Sequence, residues 1–288
     1  MIDRYKTGFY AGGGFAALPL AGTCRILAGI GYDAVELDRF WLDRRPNKED
    51  LSEDLNIIAG SGLILSEVIV QEDYVSPDAG ARADAVERTK AYIRRCADAG
   101  IGTVNLFTGP RPWIPNRVIV GEMLSVRDAW DMVFAAFDEI VPLAEQTGVT
   151  LAVENVWGML AHDFFTAQYL VNRYDSPALG VNFDPSHDQL AGNADMEFLL
   201  RGWGKDRVKH IHMKDAAGSQ ERGHVLFPPL GEGLVDWTGF RRGLDAVGYD
   251  GILSVEYEAD AHLGRSLGGN WIRAAEESFA ALKTILGA

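Results

Sequence analysis

The sequence predicts an α/β protein built as a single (β/α)8 TIM barrel over residues 1–288. Short apolar runs typical of buried strands alternate with helical patterns. Helices also end repeatedly at a glycine, and the next strand begins within a few residues. An open, doubly wound sheet is the alternative, but eight strands with polar groups on consecutive strand ends favour closure into a barrel.

Eight apolar runs are predicted to be the strands: Lys6–Ala11, Ala34–Leu37, Ile64–Val70, Thr103–Phe107, Thr150–Glu154, Leu179–Phe183, Val208–Met213 and Ile252–Glu256. Helical patterns are predicted between them: Leu18–Gly29, Glu49–Ala59, Asp78–Ala99, Val126–Gln146, Phe164–Tyr174, Asp195–Trp203, Trp237–Val247 and Trp271–Leu286. Four of the helix-to-strand turns share the glycine pattern, in the segments GIGYDA, DAGIG, QTGV and AVGYDG. No linker or low-complexity tract divides the chain.

Composition restricts the classes of function. With 27 basic and 41 acidic residues, the net charge of -14 argues against binding of nucleic acid, which relies on Lys and Arg. The chain has 47% hydrophobic residues but no apolar run of membrane-spanning length and no apolar signal core. Its two cysteines, Cys24 and Cys96, are far apart in helical segments. We interpret them as reduced core thiols of a cytoplasmic protein, with a disulfide as the alternative, and the lack of an apolar span predicts no membrane partner.

Four polar residues follow the same pattern at the ends of the last four predicted strands. Glu154 lies in LAVEN, Asp184 follows GVNF, His212 lies in VKHIHMKD and Glu256 ends ILSVE. Barrel enzymes place their functional groups at these strand ends, so the four side chains are expected on one arc of the rim. Since side chains alternate along a strand, each also shares its face with a small or polar residue: Ala152, Asn182, His210 and Ser254.

Three carboxylates and one imidazole predict a site for one divalent metal ion. Mn²⁺, Mg²⁺ or Co²⁺ suits this donor set better than a structural zinc, which prefers thiolates and more imidazoles. Each residue alone is more simply a buried polar group with a hydrogen-bonding partner. Together, however, three clustered carboxylates require a cation or protons to offset their repulsion.

Five further residues are candidates for binding substrate. His187 follows Asp184 by three residues and either contacts substrate or caps the next helix; Lys214 either polarises a substrate oxygen or forms an ion pair. Trp113 lies in a proline-rich loop after the fourth strand, and Arg222 lies in a long loop after the seventh. Loops of this length are commonly functional, although a packed tryptophan and a solvated arginine are the simpler readings. Glu36 on the second strand is the weakest candidate.

The segments LAVEN, GVNFDPSH, VKHIHMKD, PLGEGLVDWTGF and GYDGILSVEYE resemble the xylose isomerase-like superfamily of sugar and sugar-phosphate isomerases and epimerases. The resemblance is good over the C-terminal half, whereas the N-terminal half agrees in its βα rhythm and in GYDAVEL. It implies a divalent metal, often Mn²⁺, at Glu154, Asp184, His212 and Glu256. By resemblance to ketose 3-epimerases, Glu154 and Glu256 exchange a proton beside the substrate carbonyl, and His187 touches substrate.

This chemistry is physically reasonable, because a metal bridging a carbonyl and a hydroxyl stabilises the enediolate that forms when a proton leaves. The resemblance therefore predicts a metal-dependent isomerase or epimerase of a small carbohydrate, a sugar phosphate or a keto-polyol. A lyase is the serious alternative, since inosose dehydratases and 3-keto-glycoside-cleaving subunits resemble the same scaffold. A non-catalytic barrel that only binds a sugar is the third alternative.

The partners expected differ between these functions. An isomerase or epimerase is expected to form a homo-oligomer, whereas a glycoside-cleaving lyase implies a small partner subunit. The AP endonucleases of the same superfamily need additional histidines on the third and fourth strands. Those strands end in VIVQEDY and NLFTGP, which contain no histidine, so a DNA-repair function is not expected.

Overall fold

Eight parallel strands close into a barrel in the computed structural model, which describes residues 5–287. The barrel strands are β1 (Lys6–Tyr10), β2 (Ala34–Asp38), β3 (Ile64–Val70), β4 (Thr103–Leu106), β5 (Thr150–Glu154), β6 (Leu179–Phe183), β7 (Val208–Met213) and β10 (Ile252–Val255). Each strand pairs with its neighbours in chain order, and β1 pairs with β10 to complete the closure. The predicted (β/α)8 barrel is confirmed; the domain predicted over residues 1–288 includes residues 1–4 and 288, which lie outside the described part.

Helices surround the barrel: α1 (Leu20–Ile30), α2 (Arg39–Asp43), α3 (Lys48–Gly60), α4 (Ala79–Ala99), α5 (Val126–Thr147), α6 (Phe164–Val171), α7 (Pro185–Ala191), α8 (Met196–Trp203), α9 (Trp237–Val247), α10 (Asp260–Arg265) and α11 (Trp271–Leu286). The eight predicted helices are all present. The sequence did not predict α2, α7, α10 or the hairpin of β8 (Ala217–Ser219) and β9 (His224–Leu226). These elements are too short to develop a hydrophobic periodicity of their own.

The glycines at which the sequence predicted helix ends share one backbone conformation. The helices α1, α4, α5 and α9 each end at a glycine with a positive φ angle: Gly31, Gly100, Gly148 and Gly248. At Gly148, for example, φ is 75° and the N–H donates to the carbonyl of Ala144. This left-handed conformation is readily accessible to glycine, and it turns the chain back into the next strand.

The two faces of each strand have different surroundings. Apolar side chains such as Val153, Phe183 and Ile211 are fully buried beneath the outer helices. The interior face instead carries buried polar side chains, among them Glu67, Asn105 and Asn182, which hydrogen-bond to one another across the barrel. The barrel interior therefore contains a polar network below the strand ends, whereas the apolar core lies between the strands and the outer helices.

Two further sequence predictions concern the state of the cysteines and the possibility of a membrane span. Cys24 and Cys96 are both buried and form no disulfide. Within the described residues, none of the helices combines the length and apolar character that a bilayer span requires.

Candidate metal centre

The four predicted ligands come together at the rim. Glu154 ends β5, Asp184 directly follows β6, His212 lies in β7 and Glu256 directly follows β10. These four strands are neighbours in the barrel, which places their C-terminal ends side by side. One potential ligand atom from each residue lies within 4.8 Å of the others, and all four residues are buried. The predicted arc of carboxylates and imidazole is therefore present.

The donor atoms of these residues face a common point. Nδ1 of His212 lies 3.1 Å from Oε1 of Glu154 and 3.3 Å from Oε2 of Glu256. Asp184 caps α7, because its Oδ1 accepts a hydrogen bond from the backbone N–H of Ser186. Its other oxygen, Oδ2, is buried and lies 2.9 Å from the ammonium of Lys214. Three buried carboxylates and one imidazole in this group provide the oxygen and nitrogen donors that suit a divalent cation.

The opposite nitrogen of His212 points into the barrel. Nε2 of His212 lies 3.0 Å from Oε1 of Glu36, which is fully buried. A carboxylate that accepts the second imidazole proton fixes the tautomer and the orientation of a metal-binding histidine. This placement favours a supporting function for Glu36 over the predicted contact with substrate.

Glu67 is a buried residue near the site that the sequence interpretation missed. Its Oε1 lies 3.6 Å from Nε2 of His212 and accepts hydrogen bonds from the amides of Asn105 and Asn182. The amide of Asn105 also lies 3.1 Å from Oε2 of Glu154, so it connects the interior network to the rim. The available signal was a glutamate inside the apolar run ILSEVIV, where a buried charge needs a specific partner.

Lys214 lies at the centre of the rim carboxylates. Its ammonium nitrogen is 2.5 Å from Oε2 of Glu256, 2.9 Å from Oδ2 of Asp184 and 3.1 Å from Oε2 of Glu258. Although Lys214 itself is buried, the surrounding negative charges hold its pKa well above the usual value, so it remains charged. Both predicted possibilities for Lys214 therefore remain compatible, because an ion-paired ammonium at the rim can also contact a substrate oxygen.

His187 lies inside α7 and is buried, and the N-cap of that helix is Asp184. The alternative that His187 caps the helix is therefore wrong. The backbone N–H of Trp157 donates to Nδ1 of His187 at 3.3 Å, and the ammonium of Lys214 lies 3.2 Å from Nε2 on the other side of the ring. Burial and the nearby charge of Lys214 lower the pKa of His187 to about 3. Nε2 of the neutral His187 also lies 3.4 Å from Asp184 and 3.8 Å from Glu154, so the ring is part of the rim group.

The two glutamates that flank His212 have different electrostatic environments. Burial raises the pKa of Glu154 to about 7. Burial acts on Glu256 in the same direction, but the charges of Lys214 and His212 outweigh it, so the pKa of Glu256 lies well below its ordinary value. A pair of carboxylates whose pKa values are separated in this way is typical of a proton donor and a proton acceptor.

The remaining substrate candidates lie on the surrounding loops. Trp113 is half-exposed and packs edge-on against Phe107 at 6.2 Å, whereas Arg222 is exposed in the turn between β8 and β9. Phe227, just after β9, lies over the ammonium of Lys214 at 5.0 Å and against the ring of His187 at 5.7 Å. Phe227 therefore covers the candidate site more directly than Trp113 or Arg222.

Asp215 holds the loop that carries Phe227. Its carboxylate accepts hydrogen bonds from the side chain of Trp237 and from four backbone N–H groups, which belong to Ala216, Gly231, Gly233 and Val235. Asp215 directly follows Lys214 in the sequence. The hydrogen bonds of Asp215 therefore hold the loop between β7 and α9 close to the rim.

A cavity of about 650 Å³ lies beside the rim, between the loops after β4 and β5 and the β8–β9 hairpin. Its lining includes Pro112, Trp130, Trp157, Met159 and Val225 and is mainly apolar. Trp157 connects the cavity to His187 through its backbone hydrogen bond. Space for a bulky apolar group is therefore adjacent to the candidate site.

A closed (β/α)8 barrel with three carboxylates and an imidazole at its strand ends belongs to a class of barrels equipped to bind a divalent metal. The chain belongs to the xylose isomerase-like TIM barrel family, which residues 24–285 match. The curated relatives that match the chain include inosose dehydratases.

Two curated relatives illustrate the sequence similarity. The chain is 31% identical over 135 residues to the uncharacterized protein MJ1311 of Methanocaldococcus jannaschii, an alignment that covers 46% of this chain and 44% of the relative. It is 26% identical over 242 residues to the inosose dehydratase of Halalkalibacterium halodurans, with 80% and 77% coverage. Apart from that longer alignment, the chain spans about half the length of the first curated relatives it matches.

Solved structures with the same fold include an epimerase. A D-psicose 3-epimerase in the presence of D-fructose superimposes with a TM-score of 0.77 and 16% identity, covering 98% of this chain and all of the other. The IolI protein with a bound zinc atom superimposes with a TM-score of 0.75 and 17% identity, covering 98% of each chain. At these identities, the likeness establishes a shared fold.

Proposed function

We propose that this protein is a divalent-metal-dependent isomerase or epimerase of a small carbohydrate, which moves a proton beside a carbonyl group. The observation that carries the proposal is the position of Glu154 and Glu256, whose carboxylate oxygens lie 3.1 Å and 3.3 Å from Nδ1 of His212 within a group of four possible ligands. The substrate class that we propose comprises keto- and aldo-sugars, sugar phosphates and cyclic polyol ketones.

The metal would be held by Glu154, Asp184, His212 and Glu256, with Mn²⁺ as the proposed ion and Mg²⁺ or Co²⁺ as substitutes. When bound, such an ion polarises a carbonyl and stabilises the negative charge that develops as a proton leaves. Glu256, which lies beside the ammonium of Lys214, would remove the proton, and Glu154 would return one. The reverse direction exchanges the two functions.

Lys214 and His187 are the proposed substrate contacts. Both are buried, and the ammonium of Lys214 and Nε2 of His187 lie at the rim, so they can hydrogen-bond to hydroxyl or carbonyl groups of a sugar without competition from bulk water. Phe227 would cover the bound molecule. Trp113 and Arg222 would reach it only from the loops, and Glu36 would act through His212.

The alternative is a metal-dependent lyase on the same side chains. The cavity of about 650 Å³ beside His187 favours this alternative, because its apolar lining would accept the leaving group of a glycoside. The similarity to inosose dehydratases supports loss of water as a second form of the same elimination. In either form, the carboxylate that removes the proton would be the same, and the second acid would protonate the departing oxygen.

The experiment that tests the proposal is proton exchange with metal-loaded protein in D₂O. Ketohexoses, ketopentose phosphates, inosose and 3-keto-glucosides are incubated separately and followed by NMR and mass spectrometry, with Glu256→Gln as the matched control. Deuterium beside the carbonyl in an otherwise unchanged sugar supports the isomerase or epimerase. Loss of water or of an aglycone supports the lyase. Exchange that persists unchanged in the Glu256→Gln variant contradicts both.

Assembly and location are part of the proposal. We propose a homo-oligomer for the isomerase, with exposed aromatic side chains on α6 and α8, namely Phe165, Tyr169 and Phe198, as surfaces that would favour self-association. A lyase that cleaves glycosides would instead need a small partner subunit. Light scattering on the purified chain separates a single copy from an oligomer. The cytoplasmic location remains a prediction from the cysteines.

A further inference from the structure

A second group of buried polar side chains lies inside the barrel, on the other side of His212 from the rim. It consists of Glu36 on β2, Glu67 on β3 and His210 on β7, and we call it the inner cluster. One potential ligand atom from each of these residues and from His212 lies within 4.8 Å of the others. All three side chains of the inner cluster are essentially inaccessible to solvent, at 0%, 0% and 2% exposure.

Each member of the inner cluster is held through one polar atom and leaves its other polar atom without a partner. Glu36 is held at Oε1 by His212, Glu67 is held at Oε1 by Asn105 and Asn182, and His210 faces Oδ1 of Asn182 through Nδ1 at 3.3 Å. The atoms left without a hydrogen bond are Oε2 of Glu36, Oε2 of Glu67 and Nε2 of His210. Metal-binding side chains commonly show this arrangement, in which one polar atom is oriented by a hydrogen bond and the other is available to the ion.

The unpaired atoms of Glu36 and His210 face one another. Oε2 of Glu36 lies 3.7 Å from Nε2 of His210, which is too long for a hydrogen bond. Because Asn182 uses its amide N–H on Glu67, its oxygen is free to accept the Nδ1 proton of His210, and the Nε2 lone pair then points at a carboxylate oxygen. Ligands around a four-coordinate ion at about 2.1 Å are separated by roughly 3.4 Å, which is close to this distance.

Charge balance leads to the same conclusion once the rim is loaded, a step that rests on the proposed rim metal. An ion bound at Nδ1 of His212 leaves a neutral ring whose one proton, on Nε2, goes to Glu36. Among residues 5–287, the ion-pairing partners of Glu36 and Glu67 are histidines and include neither lysine nor arginine. Two buried carboxyl groups would then be neutralised only by protons unless an ion binds, because an uncompensated charge is costly in a protein interior.

We propose that the inner cluster binds a second divalent transition-metal ion, with Glu36, Glu67 and His210 as its ligands. Two carboxylates and one imidazole suit zinc or manganese. The ion would neutralise the interior and hold Glu36 against His212, so it would support the rim site from within the barrel. Because the inner cluster is fully buried, the ion is expected to be acquired during folding and released slowly.

Metal counting tests the proposal. The wild-type chain, Glu67→Gln and Asp184→Asn are refolded in Mn²⁺ or Zn²⁺, desalted and analysed by inductively coupled plasma mass spectrometry. Glu67→Gln changes a proposed ligand of the inner cluster and none of the rim, and Asp184→Asn changes a proposed ligand of the rim and none of the inner cluster. The expected result is about two ions per wild-type chain and about one in each variant. His210→Gln, which also should retain about one ion, replaces Glu67→Gln if circular dichroism shows that the latter is unfolded.

Anomalous diffraction from wild-type crystals grown with the metal locates the ions independently of any variant. A peak between Glu36, Glu67 and His210 is the expected result. One ion in the wild type, lost in Asp184→Asn and kept in Glu67→Gln, with no peak in the inner cluster, would overturn the proposal and leave a shared proton as the neutralising group. One ion lost only in Glu67→Gln would instead contradict the rim metal and with it the proposed function, while the inner site would stand.

Discussion

The ammonium group of Lys214 lies 2.9 Å from Oδ2 of Asp184, and both residues are buried. The same group lies 2.5 Å from Oε2 of Glu256, so one lysine contacts two of the four proposed metal ligands. Lys214 therefore supplies positive charge to the rim before any metal or substrate arrives. The relationship links the stability of the folded chain to the occupancy of its site.

Replacing Lys214 with Met should destabilise the metal-free protein by about 3–5 kcal/mol, because it leaves buried carboxylates without their cation. Added Mn²⁺ should restore part of this loss, since an ion can neutralise the same oxygens. Urea unfolding in EDTA and in Mn²⁺ measures both values. Lys205→Met is the matched control, because Lys205 forms an exposed pair with Asp250 and its loss should cost less than about 1 kcal/mol. An equal loss for Lys214→Met with and without metal would contradict the prediction.

Glu256→Gln should lower kcat by about 10²–10⁴-fold on whichever substrate the exchange experiment identifies, because it removes the proposed base. Glu154→Gln should have an effect of similar size. Metal content is measured on the same samples, so that loss of proton transfer is separated from loss of the ion. Glu277→Gln, on the exposed surface of α11, is the control and should retain wild-type activity. Full activity in Glu256→Gln would refute the assignment.

Metal affinity should increase as the pH rises from about 5 to about 8. Burial raises the pKa of Glu154 to about 7, so below this pH a proton competes with the ion for the carboxylate. The negative charges of Glu36, Glu154 and Glu256 outweigh burial and raise the pKa of His212, whose Nδ1 must also be deprotonated to bind. Calorimetry in buffers of different ionisation enthalpy should therefore detect release of protons on binding. An affinity that is constant across this range would contradict the prediction.

Asp215→Asn should loosen the loop between β7 and α9. Asp215 accepts five hydrogen bonds within and around this loop, and hydrogen bonds to a charged group are each worth about 1.5–3 kcal/mol. We expect a loss of roughly 3 kcal/mol in the free energy of unfolding and faster proteolysis within residues 216–235. Asp84→Asn, on the exposed face of α4, is the control. Unchanged proteolysis of the loop would show that other contacts hold it.

Cys24 and Cys96 should not react with a thiol reagent at pH 8 until the protein unfolds. Burial raises the pKa of Cys24 to about 11 and that of Cys96 to about 12, so the reactive thiolate is scarce in the folded state. Titration with Ellman's reagent in increasing urea measures the exposure of both thiols. Rapid reaction of either cysteine in native buffer would contradict the prediction.

The strand ends show how much of the site the sequence contained. Glu154, Asp184, His212 and Glu256 follow four apolar runs in the same way, and consecutive strands of a parallel barrel are neighbours in space. Local pattern and a single topological assumption were therefore enough to bring these four together. His187 and Lys214 were found because they lie within three residues of a ligand.

The partners of these residues were harder to predict. Glu67 contacts His212 from a strand that is distant in the sequence, and Phe227 reaches Lys214 from a loop without regular periodicity. Glu36 was expected at the substrate, but the structure places it against Nε2 of His212. Between Val35 and Leu37 the register of β2 against β3 shifts, which helps determine how Glu36 and Glu67 lie relative to each other. Such a register shift cannot be predicted from a hydrophobic pattern.

The sequence by itself determined the barrel, its glycine-terminated helices and the set of proposed ligands at the rim, because these depend on local periodicity and on the order of strands. Only the tertiary structure decided which nitrogen of His212 faces the rim, that Lys214 joins its carboxylates, and that Glu36, Glu67 and His210 meet inside the barrel. The physical reason is that burial and pairwise distance set the charge and tautomer of a side chain, and both arise only when distant strands are brought into register.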